Sequence, residues 1–231
     1  MSNTNYWKQQ WDAVTDTVEV LSSPEPENKT IGSKKWDYDK IKEFYNSDGQ
    51  SILRQEYNAG KIEDRKERWK DLYGKNTCAI KLSYALNNAG YIIQEHKTKN
   101  NRLTWSGNIN SRHQYILSAD EMGAYLKTQL GSPTFKSNGP ITSDESLETF
   151  VNEVTKWKNY GGIIFLDSKN HKEYQATGHV DLIYEDWGSD PYIYDRGQEL
   201  DDYIDWRNGD GGFNVNAQLA VSIWLLKGEK R

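Results

Sequence analysis

The stretch KNTCAIKLSYALNNAG, Lys75 to Gly90, decides how this chain folds. Its apolar residues recur at intervals of three and four, namely Leu82, Ala85, Leu86 and Ala89. This spacing predicts a helix with one buried face. Asn76 or Thr77 can cap its N-terminus and Gly90 can end it. The segment also contains the only cysteine of the 231 residues, Cys78, which we expect in the first turn.

Helical spacing continues on both sides of this segment. Apolar residues between positions 36 and 73 predict helical segments with breaks at Gly49 and Gly60. Downstream, the stretch from Ser118 to Pro133 predicts a second well-bounded helix, and the stretch from about Asp144 to Trp157 predicts a third.

The pattern then changes to short runs rich in β-branched and aromatic residues. These runs are GGIIFLD (161–167), ATGHVDLIY (176–184), PYIYD (191–195) and AQLAVSIWLL (217–226). Helices followed by strands predict an α+β fold with N-terminal helices on a mostly antiparallel sheet. Residues 1–34 are polar and end in a proline-containing stretch, so we expect an extension of unknown role before a single domain over 35–231.

Composition excludes several classes of function. The net charge of −5 argues against a nucleic-acid partner. No apolar run approaches the ~18 residues that cross a bilayer, so we expect no membrane span. The first residues lack the basic start and apolar stretch of a secretory signal. A single cysteine cannot form an internal disulfide.

Cys78 has two interpretations. In the first turn of a helix, the macrodipole and the unpaired backbone N–H groups favour a thiolate and can stabilise an oxyanion. This position suits a nucleophile. However, free cysteine is also among the most buried residue types, so the helix position alone favours a small core residue over a nucleophile.

A cysteine nucleophile needs a base, and the chain has four histidines. His96 and His113 flank a polar stretch that we expect to be a solvated loop, and His171 lies in a turn-like stretch. His179 differs because it lies within a predicted strand, directly after Gly178, which permits close approach of another backbone.

The predicted His179 strand has two different faces. Its uniformly apolar face, Val180, Leu182 and Tyr184, should point to the core, which leaves His179 and Asp181 on the other face. Side chains two apart on a strand stand side by side, which suits contact between them poorly. Asp190 opens the next predicted strand, and a hairpin would bring it alongside His179. The alternative for Asp190 is a turn residue before Pro191.

Two segments, NTCAIKLSYALNNAGYII (76–93) and ATGHVDLIYEDWGSD (176–190), resemble the fourth family of type VI secretion amidase effectors. In that family an N-[AT]-C-x-[IL]-[RK]-[ML]-S-x-[AV]-L-N stretch opens the catalytic helix, and a later ATGH strand supplies the histidine. The resemblance assigns Cys78 as the nucleophile, His179 as the base and Asp190, eleven residues later, as the acid.

The resemblance implies a papain-like α+β amidase of the NlpC type with a Cys-His-Asp triad. It implies cleavage of peptidoglycan peptide stems between D-glutamate and meso-diaminopimelate, with no metal and no organic cofactor. It also implies two protein partners. The type VI secretion apparatus would carry the effector, without a signal peptide, from the producer cytoplasm to the periplasm of a target cell. A cognate immunity protein would protect the producer.

Acidic residues crowd the region around and after His179. They are Asp181, Glu185, Asp186, Asp190, Asp195, Glu199, Asp201, Asp202, Asp205 and Asp210. A solvated acidic face is one interpretation. A calcium site is another, although no stretch has EF-hand spacing, and recognition of an amine or a basic partner surface is a third.

Two other classes of function remain open on the residues alone. The chain could be a different cysteine hydrolase or an acyltransferase on the same scaffold, with a reactive Cys78 but no action on wall peptides. It could also be a non-catalytic binding protein whose aromatic residues form a carbohydrate or protein surface.

Overall fold

The computed structural model describes residues 36–45, 48–95, 104–155, 160–168, 178–185, 191–193, 198–199 and 219–226. The expected N-terminal extension, residues 1–34, lies outside these residues. The single domain expected over 35–231 therefore remains a prediction.

The described residues form six helices. They are α1 (Tyr38–Tyr45), α2 (Gly49–Ala59), α3 (Glu63–Lys70), α4 (Cys78–Asn88), α5 (Ala119–Leu130) and α6 (Asp144–Thr155). The predicted helix start at Cys78 is confirmed. Gly90, with a φ of 89°, ends this helix, because it turns the chain so that the Tyr91 N–H donates to the Leu86 carbonyl at 2.9 Å. Gly60 ends α2 as predicted, whereas Gly49 begins that helix.

The described strands are β1 (Trp105–Ser106), β2 (Gln114–Tyr115), β3 (Phe135–Pro140), β4 (Gly162–Ser168), β5 (Gly178–Glu185), β6 (Pro191–Ile193), β7 (Gln198–Glu199) and β8 (Leu219–Leu225). Strands β1 and β2 pair separately. The other six form one sheet in the order β3-β8-β4-β5-β6-β7, with every pair antiparallel. The predicted α+β class is therefore confirmed.

Helices cover both faces of this sheet. On one face, α1, α4 and α5 pack against Ile163, Val180 and Leu182 in one apolar cluster. On the other face, α6 packs against the residues that alternate with them, including Ile164 and Ile183, in a second cluster. The apolar face of β5 therefore points to a core, as predicted, but its opposite face is buried as well.

Helix α4 lies at the centre of the helical layer. A third apolar cluster, which includes Ile52 and Trp69, packs against Ile80 on its outer side. Its buried polar residue Asn87 donates to the Gln114 carbonyl at 2.9 Å and accepts the Ile93 N–H at 2.9 Å. These bonds hold the central helix in one position, and with it the thiol at its N-terminus.

Two parts of the fold differ from the prediction. The polar stretch expected to be a loop (95–113) contains β1, which pairs with β2 directly after the stretch. Strand β3 forms from the sequence FKSNGP, which shows no strand pattern. Both are held by tertiary contacts: β2 by α4, and β3 by pairing with β8. No helix among the described residues is long and apolar enough to cross a membrane.

Candidate active site

Cys78 is the first residue of α4, and the side chain before it fixes the start of the helix. The Cys78 N–H donates to Asn76 Oδ1 at 3.1 Å, and the Lys81 N–H makes the first-turn bond to the Thr77 carbonyl at 2.8 Å. Thr77 therefore occupies the N-cap position while Asn76 supplies the side-chain acceptor. The sequence had left the choice between these two residues open.

Cys78 and His179 line the same cavity, of about 250 Å³. The remaining lining residues come from the start of α4 and from the α1–α2 region, namely Tyr45, Asp48, Gly49, Asn76, Thr77 and Lys81. Two of the predicted site residues, separated by a hundred positions in the sequence, are thus brought to one site.

Gly178 sets the position of His179. Strand β5 starts at Gly178, whose φ is 153°, and lies against β4 with Leu166 opposite His179. A Cβ atom at position 178 would collide with the Leu166 carbonyl oxygen. The expected close backbone approach at this glycine is therefore confirmed.

Asp181 is the described carboxylate in contact with the imidazole. Its Oδ2 atom lies 3.5 Å from His179 Nε2, and the two residues are 0% and 6% exposed. The expectation that the side-by-side position suits contact poorly is therefore wrong, because the short aspartate side chain reaches the ring along the strand. Asp181 is also no part of a solvated acidic face.

Asp190 lies outside the described residues, so the third predicted member of the site is not placed. The hairpin expected between the two strands does form, as β5 and β6. Its register pairs Pro191 with Glu185, whereas His179 lies at the other end of β5. Most of the acidic run after Asp181 also falls outside the described residues.

The other histidines are away from this cavity or undescribed. His96 and His171 lie outside the described residues. His113 lies beside β2, where its N–H donates to the Asn110 carbonyl at 3.0 Å. Burial lowers the pKa of His113, with the nearby Glu56 carboxylate opposing that effect. His113 does not line the cavity.

Lys81 is a site residue that the sequence analysis missed. It lies one helical turn after Cys78, is only 8% exposed, and lines the cavity. Its Nζ atom lies 4.3 Å from the centre of the Tyr45 ring, within cation–π distance. The signal was available, because residues i and i+3 share a helix face.

The cavity has the components of a nucleophilic centre. Cys78 at a helix start, His179 and Lys81 line one cavity, and first-turn N–H groups of a helix favour negative charge. Within the described part of the chain, no group of three His, Cys, Asp or Glu residues could hold a metal ion. The arrangement suits covalent catalysis by Cys78.

Comparisons with known proteins support this interpretation. The family model for the type VI secretion system (T6SS) amidase effector protein 4, Tae4, matches residues 74–224. No curated protein sequence matches the chain.

Two crystal structures are similar in fold. The effector Tae4 from Salmonella typhimurium, in complex with the immunity protein Tai4 from Enterobacter cloacae, is 20% identical with a TM-score of 0.52. The alignment covers 83% of this chain and 99% of that one. The Tae4–Tai4 complex from Enterobacter cloacae is 18% identical with a TM-score of 0.50, covering 83% and 98%. The papain-like, NlpC-type fold expected from the sequence is therefore confirmed.

Proposed function

Since this chain belongs to the type VI secretion amidase effector 4 family, we propose that it cleaves the bond between D-glutamate and meso-diaminopimelate in peptidoglycan peptide stems. The observation that carries this proposal is the shared cavity of Cys78 and His179. The alternative of a buried structural cysteine does not account for a histidine and a lysine that line the same cavity as Cys78.

The proposed reaction starts with proton transfer from the Cys78 thiol to the His179 imidazole. The thiolate sulfur attacks the γ-glutamyl carbonyl carbon, and the carbonyl π electrons move to its oxygen. First-turn N–H groups of α4 stabilise this oxyanion. The Cys78 N–H donates to Asn76 in the free protein, so its use in the oxyanion hole requires that bond to open.

The imidazolium then donates its proton to the amine of diaminopimelate as the C–N bond breaks. This leaves a thioester between Cys78 and the glutamyl group. Water, deprotonated by His179, hydrolyses the thioester and regenerates the thiol. The family pattern assigns Asp190 to hold the imidazole tautomer, so Asp190 is the family-based candidate for that role. Asp181, whose carboxylate lies 3.5 Å from the imidazole, is the candidate that the described geometry supports.

We further propose that the protein acts in the periplasm of a rival bacterium. Peptidoglycan stems lie outside the inner membrane, and the family is one of type VI effectors. Delivery by the type VI apparatus would place the enzyme beside its substrate.

A cognate immunity protein would protect the producer. Both related structures described above are effector–immunity complexes. We propose that the partner of this chain blocks the cavity between Cys78 and His179. It should stop wall cleavage by the purified enzyme when added in equimolar amount, and an unrelated protein should not.

Expression in two compartments tests the proposed function. The chain should be tolerated in the cytoplasm of a test bacterium and should lyse the cells when an added signal peptide exports it. Cys78→Ala, which removes only the sulfur, should rescue the exporting cells at equal protein level. Equal toxicity in both compartments, or lysis by the folded alanine variant, would contradict the proposal.

A further inference from the structure

We infer that Asp181 is a positioning residue that holds the His179 imidazole through Nε2. This inference rests on the proposed function, because it assigns a role in the reaction of Cys78. It concerns a residue that the family pattern leaves without a role.

The two groups are close and shielded from water. The Asp181 Oδ2 to His179 Nε2 distance is 3.5 Å, within ion-pair range, and neither residue is more than 6% exposed. Charge pairs in such places are weakly screened by solvent and salt. The contact is therefore worth more than a surface pair of the same length.

The carboxylate itself is fixed by the backbone. The Leu182 N–H donates to Asp181 Oδ1 at 2.8 Å, while Oδ2 points to the imidazole. Asp181 lies opposite Ile164 on the adjacent strand, and Ile164 belongs to the apolar cluster beneath α6. A buried carboxylate in apolar surroundings is costly unless it is paired, and His179 is the positively chargeable partner that the structure gives it.

A contact at Nε2 determines which nitrogen does the chemistry. A carboxylate favours a proton on the nitrogen it faces, so His179 carries Nε2–H in both its neutral and its charged forms. Proton exchange with Cys78 then falls to Nδ1. The carboxylate also stabilises the imidazolium that forms when the thiol ionises, which favours the thiolate.

Several other charged groups belong to elements packed against β5. Helix α4 contributes Lys81, the loop before α2 contributes Asp48, and β4 contributes Asp167. Helix α5 contributes Asp120 and Glu121, and α6 carries acids that are exposed on its outer side. The carboxylate that lies within ion-pair distance of the imidazole, at 3.5 Å, is that of Asp181, so its removal should have the largest effect.

The test uses Cys78 as its own reporter. Because the chain has one cysteine, the rate of alkylation by iodoacetamide against pH gives the pKa of that thiol without any wall substrate. Asp181→Asn should raise this pKa by about one unit, the size expected for loss of one close opposite charge. Asp144→Asn, which removes an exposed carboxylate from α6 on the same side of the sheet, should leave it unchanged.

A double variant separates positioning from general damage. In a His179→Gln background, Asp181→Asn should no longer shift the thiol pKa, because its effect passes through the imidazole. An equal shift with and without His179 would overturn the inference. So would a shift produced by Asp190→Asn and not by Asp181→Asn.

A measurement on the unmodified protein covers the case in which Asp181→Asn does not fold. The ¹⁵N resonances of His179, assigned by their loss in His179→Gln, should show a protonated Nε2 throughout the pH range in which the protein is folded. A neutral Nδ1–H tautomer would overturn the inference. The thiol pKa and the ¹⁵N resonances are both measured without wall cleavage. A failure of the proposed function would therefore not be confused with a failure of the inference about Asp181.

Discussion

Replacing Gly178 by alanine should destabilise the protein and displace His179. The φ of Gly178 is 153°, in a region that L residues rarely adopt, and such strain costs an alanine about 1–3 kcal/mol. The new Cβ would also meet the Leu166 carbonyl oxygen, which is backbone and cannot rotate away. Forcing an atom into a packed site costs about 1–3 kcal/mol more.

The sum is about 2–6 kcal/mol, which for a chain of this size lowers the melting temperature by about 4–24 °C. Thermal denaturation followed by circular dichroism measures the loss. Gly131→Ala is the matched control, because Gly131 has a φ of 81° with open space around the position of a Cβ. It should cost about 1–3 kcal/mol, from backbone strain alone.

The reactivity of the Cys78 thiol should separate the two glycine variants further. Below the melting temperature of Gly178→Ala, iodoacetamide should alkylate Cys78 of this variant more slowly at neutral pH, because His179, which lines the same cavity, has moved. Gly131→Ala should react at the rate of the unmodified protein. If Gly178→Ala melted and reacted like Gly131→Ala, the close approach of β4 and β5 at this position would be wrong.

Three further predictions concern other residues. Lys81→Met keeps an aliphatic chain against Tyr45 but removes the charge of the ammonium group. It should lower kcat/KM on wall peptides about 10-fold or more, which is the value of one hydrogen bond from a charged group to the substrate. An unchanged kcat/KM would exclude a role for the ammonium group. Glu56→Ala strands the buried Tyr115 hydroxyl, which donates to Glu56 at 2.8 Å, and two loop N–H groups. It should therefore cost about 3 kcal/mol, with Tyr115→Phe costing less in the same melts. Burial lowers the pKa of His113, so the unfolded state takes up a proton first as pH falls below 6.5. Urea denaturation should show stability falling from pH 7.5 towards the native pKa of His113, and His113→Gln should flatten that slope.

Much of the fold follows from local pattern. Helix α4 was predictable because apolar spacing and end signals agree over Lys75 to Gly90, and β4, β5 and β8 because their runs are rich in β-branched residues. The order of these elements was enough to indicate the α+β class.

The remainder depends on contacts between distant segments. The two-residue strand β2 is too short to show a strand pattern in the sequence. It forms because α4 and the hydrogen bond from Tyr115 to Glu56 hold it in place. Tyr45 and Asp48 form one wall of the cavity although they lie about thirty residues before Cys78, and no spacing rule connects them to it. Sequence alone therefore predicted that Cys78 and His179 share one site, but not the walls around them.

The contact between Asp181 and His179 could not be predicted from the sequence for a different reason. Position i+2 on a strand fixes the face of Asp181 but not the reach of its side chain, and the contact with His179 depends on both. Burial on two faces of β5 was also not predictable, because the β5 sequence does not reveal that α6 covers the second face.

Digestion of purified diaminopimelate-type peptidoglycan tests the central claim most directly. The protein is incubated with the wall material, and mass spectrometry identifies the fragments, with folded Cys78→Ala as the control. The account predicts stems that end in D-glutamate, together with released peptides that begin with diaminopimelate, and neither product from the alanine variant. Intact stems, or the same fragments from Cys78→Ala, would contradict it.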